Sequence, residues 1–246
     1  MAYTNSSMVV YTKLSPNYSE KRTMAIDRIS PHCVVGMCTA EGLGDWFAKE
    51  TTKASSNYGI DKNGRVGMYV EEKNRSWCTS SSANDQRAVT IECASGTAEP
   101  YEMSELIYET LIKLCTDICK RNGKSKLLWF GDKDKTLNYT PAYDEMIITV
   151  HRWFANKSCP GTWLYSRLGD LAEKVTAALA ETEKAEGTAD KAETKIDTAE
   201  TKTDTSSKKK YYRVQVGAFS VKANADAYLK KVQAAGFKDA FIKYGE

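Results

Sequence analysis

Hydrophobic residues recur at strand or helix spacing over roughly the first 179 residues, and then the pattern stops. Residues 25–35 (AIDRISPHCVV) read as a strand broken by Pro31 and leading into His32. Thr39 is placed to cap a helix through AEGLGDWFAKE, with Leu43, Trp46 and Phe47 turned inward, although Gly42 and Gly44 weaken it. SSNYGIDKNGRVGMYV alternates around a Lys-Asn-Gly turn and predicts a hairpin. RAVTIECAS, Arg87 to Ser95, is a β-branched strand. Ser104 caps the strongest predicted helix, SELIYETLIKLCTDICKRNG, in which Leu106, Ile107, Leu111, Leu114, Cys115, Ile118 and Cys119 share one face and Gly123 ends the run. A last helix, TWLYSRLGDLAEKVTAAL, spans residues 162–179. Strands alternating with helices predict an α/β domain, a mixed central β-sheet flanked by helices, over residues 1–179.

From 180 to 210 the chain collapses to Ala, Glu, Thr, Lys and Asp, and ETEKAEGTADKAETKIDTAETKTDT nearly repeats. With almost no large apolar residue it has no core to bury, and it reads as a solvated linker with transient helix. The pattern returns at Tyr211. YYRVQVGAF alternates as a strand, KANADAYLKKVQAAG is an amphipathic helix ending at Gly236, and DAFIKY is a second strand, so residues 211–246 form a small βαβ module.

Composition narrows the function classes. Hydrophobic content of 41% and five Trp suffice for a packed core in the larger part. A net charge of +3 is mild, and no Lys/Arg stripe interleaved with aromatics is present, so no nucleic-acid partner is expected. No apolar run is long enough to span a bilayer, so no membrane partner is expected either. The segment MAYTNSSMVVYTKLSPNYSEKR lacks the basic start and apolar stretch of a secretory signal, which predicts synthesis in the cytoplasm without signal-directed export. Seven cysteines, an odd number at irregular spacing, suggest reduced thiols rather than a disulfide framework. With two histidines in the chain, any histidine chemistry uses His32 and His151.

The sharpest local feature is HRWFANKSCPG, His151 to Gly161, which brings His151, Lys157 and Cys159 close together ahead of a Pro-Gly turn. Imidazole and thiolate are both zinc ligands, and His32 at a strand end is the candidate third. Two His and one Cys leave a fourth position for water, the arrangement that acidifies water and polarises a carbonyl. A His and a Cys eight apart also arise by chance, and a strand histidine is more often simply hydrogen-bonded, so spacing leaves both readings open. Cys33, next to His32, points to the opposite strand face and is a poor co-ligand. Cys115 and Cys119 sit on an apolar helix face, where they act as small buried hydrophobes.

The order and spacing of His32, SSNYGIDKNGRVGMYVEE, RAVTIECAS and HRWFANKSCPG resemble the zinc amidases of phage lysozymes, bacterial muropeptide amidases and animal peptidoglycan-recognition proteins, over residues 25–175. The pattern NRSWCTSSSANDQRAVTIE brings the resemblance nearest to endolysins of phages that infect Gram-positive bacteria. The resemblance implies an N-acetylmuramoyl-L-alanine amidase with Zn2+ held by His32, His151 and Cys159. It implies that Lys157 steadies the oxyanion and that either Glu92 or Tyr58 does the proton work. Cys78 departs from the pattern, standing where many members carry a His after the Trp, which puts some substrate contacts in doubt; Trp77 lines that groove or simply packs.

KKKYYRVQVGAFSVKANADAYLKKVQAAGFKDAFI resembles the SPOR repeat, a module that binds peptidoglycan glycan strands stripped of stem peptides. A complete repeat has a βαββαβ plan, so two copies pairing into a homodimer to complete a sheet is the expectation. The resemblance thus implies peptidoglycan as partner, lysis of the host wall as role, and release from the host cytoplasm through a holin. The rival readings are a peptidoglycan-binding protein of the same fold without catalysis, a bacterial wall-remodelling amidase, and a purely structural zinc.

Overall fold

The computed structural model describes residues 3–192 and positions 229, 233, 241 and 242. The expected linker beyond 192, the first strand and most of the helix expected between 211 and 246 lie outside the described residues, as does the second strand apart from Phe241 and Ile242, which are exposed and in no regular element. Met1–Ile196 forms one compact unit. Its strands are β1 (Val9–Thr12), β2 (Tyr18–Ser19), β3 (Arg28–Cys33), β4 (Tyr58–Ile60), β5 (Val66–Met68), β6 (Arg75–Ser76), β7 (Ala88–Cys93), β8 (Lys126–Leu128) and β9 (Glu145–Ile148). Its α-helices are α1 (Ala40–Phe47), α2 (Ser82–Asp85), α3 (Glu105–Arg121), α4 (Lys133–Asn138), α5 (Gly161–Tyr165) and α6 (Leu168–Ala192).

Seven strands form one mixed sheet in the order β1-β5-β4-β7-β3-β9-β8. Strands β4, β7, β3, β9 and β8 run parallel, and β5 is antiparallel to β4 through the expected hairpin. The hairpin is closed by Asp61, whose side chain accepts from Asn63 N at 2.8 Å and Arg65 N at 2.9 Å, and by Gly64 at φ +72°. Apolar side chains of β3, β4 and β7 pack with α3 and α6 into the main core, while Leu43 and Phe47 of α1 join Tyr69 in a smaller cluster. The fold is the mixed α/β sheet flanked by helices that the sequence pattern predicts.

Thr39 caps α1, accepting from Gly42 N at 3.0 Å, and Ser104 caps α3, accepting from Ile107 N. Two expected core positions are corrected. Trp46 is 56% exposed and Leu106 52% exposed, because each lies at the edge of an apolar stripe whose centre is already filled by its neighbours. Trp46 carries the Lys49 ammonium 5.5 Å over its ring, and Leu106 lies over the Gly64 turn. The last helix is two: α5 stops at Tyr165, and α6 begins at Leu168 and runs to Ala192, beyond the expected end at 179. Cys115 and Cys119 are fully buried, as an apolar helix face requires.

Pro31 does not break its strand. Along β3 the N–H groups of even residues face β7, as Arg28 N does toward Arg87 O and Val34 N toward Cys93 O; the odd residues face β9. The nitrogen that cannot donate therefore lies on the β9 side, where pairing ends at Ile29 with Ile148. The ladder to β7 continues unbroken through His32 with Glu92 to Cys33 with Cys93. In urea unfolding followed by circular dichroism, Leu43→Ala is expected to cost about 2–5 kcal/mol as a cavity mutant, and Trp46→Ala to stay within about 0.5 kcal/mol. Equal losses would return Trp46 to the core.

Candidate metal centre

Strand alternation sorts β3 and β7 into two faces. Ile29 and Cys33, with Val89, Ile91 and Cys93, belong to the main core. Ser30 and His32, paired with Thr90 and Glu92, occupy the other face. Beyond its last pairing with β3, β9 continues through Val150 into a 3-10 turn, His151–Trp153, so His151 arrives beside His32 at the carboxyl ends of the parallel strands. The two imidazoles lie 5.2 Å apart between centroids, tilted by 56°.

Arg152 folds the chain back to Cys159: its backbone N donates to Cys159 O at 3.1 Å, and its guanidinium donates to Ser158 O and lies 4.6 Å from the Tyr165 ring. Cys159 Sγ thereby comes within 3.2 Å of His32 Nδ1. Donor atoms of His32, His151 and Cys159 all lie within 4.8 Å of one another. A second, overlapping group joins His32 to Cys78 and Glu92, with Cys78 Sγ 3.8 Å from Glu92 Oε1.

Desolvation governs the charge state here. Burial, reinforced by His151, pushes His32 down to about 3, so its ring is neutral. Burial and the Lys157 charge lower His151 as well. Contact with the Cys33 thiol, then burial, raises Cys159 far above an ordinary thiol. Burial, with a smaller effect of Cys33, pushes Glu92 up to about 8. Glu92 Oε1 lies 3.8 Å from His32 Nδ1, while His32 Nε2 and Glu92 Oε2 are buried with no hydrogen-bond partner. Each such atom costs about 1–3 kcal/mol, and two at one place mark a site built for something other than stability.

The donors fit zinc. Two neutral imidazoles and one thiol form a nitrogen–sulfur set of the kind Zn2+ takes, and Cys159 has to release its proton to join it. Glu92 stands beside this set. Lys157 is exposed on the loop between His151 and Cys159, with its charge felt at His151. Tyr58 is not there, which corrects its expected place. It pairs with Ile91, one residue out of phase with Glu92, so it points into the main core. Its hydroxyl donates to Glu72 Oε1 at 2.7 Å and accepts from Ser6 N at 2.9 Å, and burial then Glu72 push its pKa far up. Sequence reasoning missed Ser80, whose Oγ lies 3.0 Å from His151 Nε2, and the contact of Cys78 with Glu92. Trp77 donates from Nε1 to Ser19 Oγ at 3.0 Å, and so packs across the β2–β6 ribbon.

Fold and site define a sheet protein with a nitrogen–sulfur donor cluster and a carboxyl at its strand ends. The profile of the N-acetylmuramoyl-L-alanine amidase family matches residues 22–162, more than half of the chain, and the chain belongs to that family. A SPOR domain profile matches residues 176–243, starting within α6. Among solved structures, the chain is similar to a selenomethionine AmpD derivative (TM-score 0.49, 14% identity, covering 73% of this chain and 99% of that one). It is also similar to PlyL (TM-score 0.47, 14% identity, 68% and 96%). A third is the N-acetylmuramoyl-L-alanine amidase LysC from Clostridium intestinale URNW (TM-score 0.43, 15% identity, 73% and 96%). No curated protein sequence matches the chain. Among the described residues, no helix is long and apolar enough to cross a membrane.

The Glu92 shift has a measurable consequence for the metal-free chain. Folded, Glu92 keeps its proton to about pH 8; unfolded, it loses it near 4.5. The folded state holds the extra proton between those values, so the residue's contribution to stability falls as pH rises through that window. Glu92→Gln is neutral throughout. In chelator-treated protein, its stability relative to wild type is expected to be higher at pH 8 than at pH 5 by urea unfolding; an identical difference at both pH values would contradict the shift.

Proposed function

We propose that this protein is a zinc-dependent N-acetylmuramoyl-L-alanine amidase of the endolysin type, cutting the amide between the lactyl group of N-acetylmuramic acid and L-alanine of the stem peptide. The observation that carries the proposal is the convergence of His32, His151 and Cys159 donors within 4.8 Å beside Glu92, in a member of this amidase family. Bound there, Zn2+ supplies Lewis acidity, acidifying water and polarising a carbonyl. His32 and His151, kept uncharged by burial, hold it together with the Cys159 thiolate. Glu92, 3.8 Å from His32 Nδ1, takes the proton from the attacking water as a carboxylate and passes it to the departing L-alanine nitrogen. Lys157 offers a cation to the negative charge that develops on the lactyl oxygen. Tyr58, held by Glu72 in the core, takes no part.

The C-terminal segment matched by the SPOR profile keeps the enzyme on wall whose glycan has already been bared, raising the local concentration of substrate. The match of NRSWCTSSSANDQRAVTIE to endolysin patterns supports a role in lysis, with passage to the wall through a holin. Purified Gram-positive peptidoglycan digested by the wild type is expected to release free stem peptides beginning with L-alanine, read by mass spectrometry. Chelator or Cys159→Ala abolishes the release. Intact wall carrying tightly bound protein would favour a recognition protein, and cleaved glycan or cross-bridges would mean that the assigned bond is wrong. Glu92→Gln is expected to lower kcat by about 10²–10⁴-fold while zinc content stays at the wild-type level; unchanged kcat would remove Glu92 from the chemistry.

A further inference from the structure

The segment Cys78–Ser80, buried at Thr79 and exposed at Ser80, is held by several hydrogen bonds. The Asp85 carboxylate accepts from Cys78 N at 3.0 Å, from Thr79 N at 3.2 Å and from Thr79 Oγ1 at 2.6 Å. Asn84 ties the same region to β3, which carries His32, and to the segment that leads from β9 to His151: its amide donates to Ser30 Oγ at 3.1 Å and accepts from Thr149 Oγ1 at 3.1 Å. Ser30 and Thr149 share a further bond of 2.6 Å between β3 and the end of β9. At the tip of this loop stands Ser80, exposed and at φ +63°, a left-handed conformation that a non-glycine residue disfavours. Its hydroxyl reaches one group, His151 Nε2, at 3.0 Å.

We propose that Ser80 is a positioning residue for His151: its hydroxyl accepts a hydrogen bond from Nε2–H and so leaves the Nδ1 lone pair for the metal. The inference rests on the reading that His151 is a zinc ligand. An imidazole has one N–H when neutral, and whichever nitrogen donates it leaves the other to ligate. Ser80 takes one end of the ring, and the buried Asn84–Asp85 network fixes Ser80 to the strands that deliver His32 and His151. The left-handed backbone is tolerated because it puts the hydroxyl there.

Ser80→Gly separates the hydroxyl from the loop, since glycine adopts the same φ without strain. The variant is expected to melt at or above the wild-type temperature when metal-free. Its zinc affinity, by competition with a chelating dye, is expected to fall about 10–100-fold. In 15N-histidine-labelled metal-free protein, long-range 1H–15N spectra are expected to show His151 as the Nε2–H tautomer, with that preference lost in Ser80→Gly. Wild-type zinc affinity in Ser80→Gly, or a wild-type His151 protonated on Nδ1, overturns the proposal and leaves the metal centre standing. Failure of the wild type to bind zinc more tightly than Cys159→Ala overturns the metal centre, and this role with it.

Discussion

Pairing between β3 and β9 ends at Ile29 and Ile148, and the next nitrogen on β3 that would face β9 belongs to Pro31, which has no proton to give. Two adjacent parallel strands would otherwise continue side by side to their ends. Here they part, and the chain leaving β9 turns through His151–Trp153 over the end of β3. The approach of His151 to His32 depends on that parting. So does the room for the 151–159 loop, closed by Arg152, that lowers Cys159 onto His32 Nδ1. On the other side β3 stays fully paired with β7, which fixes Glu92 opposite His32. A strand paired on one edge and released on the other is thus what assembles the centre.

The second constraint is desolvation. β3 and β7 are buried on both faces, yet one face carries Arg28, Ser30, His32, Thr90 and Glu92. Deeper along this face Ser30, Thr149 and Asn84 satisfy one another, while Arg28 bonds Asn84 through Nη1 and leaves its Nε unpartnered. Satisfaction fails again at the strand ends, where His32 Nε2 and Glu92 Oε2 stand unpartnered. The same low-dielectric setting keeps the imidazoles neutral, the state a nitrogen ligand needs, and holds the metal-free Glu92 carboxyl protonated. The cost to stability and the chemical readiness come from the same burial.

Much of this was legible in the sequence. The scarcity of histidine and the compact HRWFANKSCPG segment singled out His32, His151 and Cys159, and alternation with turn chemistry located β3, the hairpin, β7 and α3. What was lost was mostly a matter of phase. Tyr58 and Glu92 sit in neighbouring strands one register step apart, which puts them on opposite faces, and register between strands is not written in either strand alone. Trp46 and Leu106 failed because a helix stripe has edges that tertiary packing leaves uncovered. The short apolar runs of β8 and β9 fit helix or strand equally well by periodicity. Ser80 carried no signal, since its importance lies in a partner 71 positions away.

Two imidazoles and the Cys159 thiolate, out of seven cysteines in the chain, are the expected metal shell. X-ray absorption at the zinc edge on zinc-loaded protein reads that shell directly. One sulfur at about 2.3 Å and two imidazole nitrogens at about 2.0–2.1 Å are expected. A shell with two or more sulfurs, drawing in Cys33 or Cys78, or with none, would contradict it.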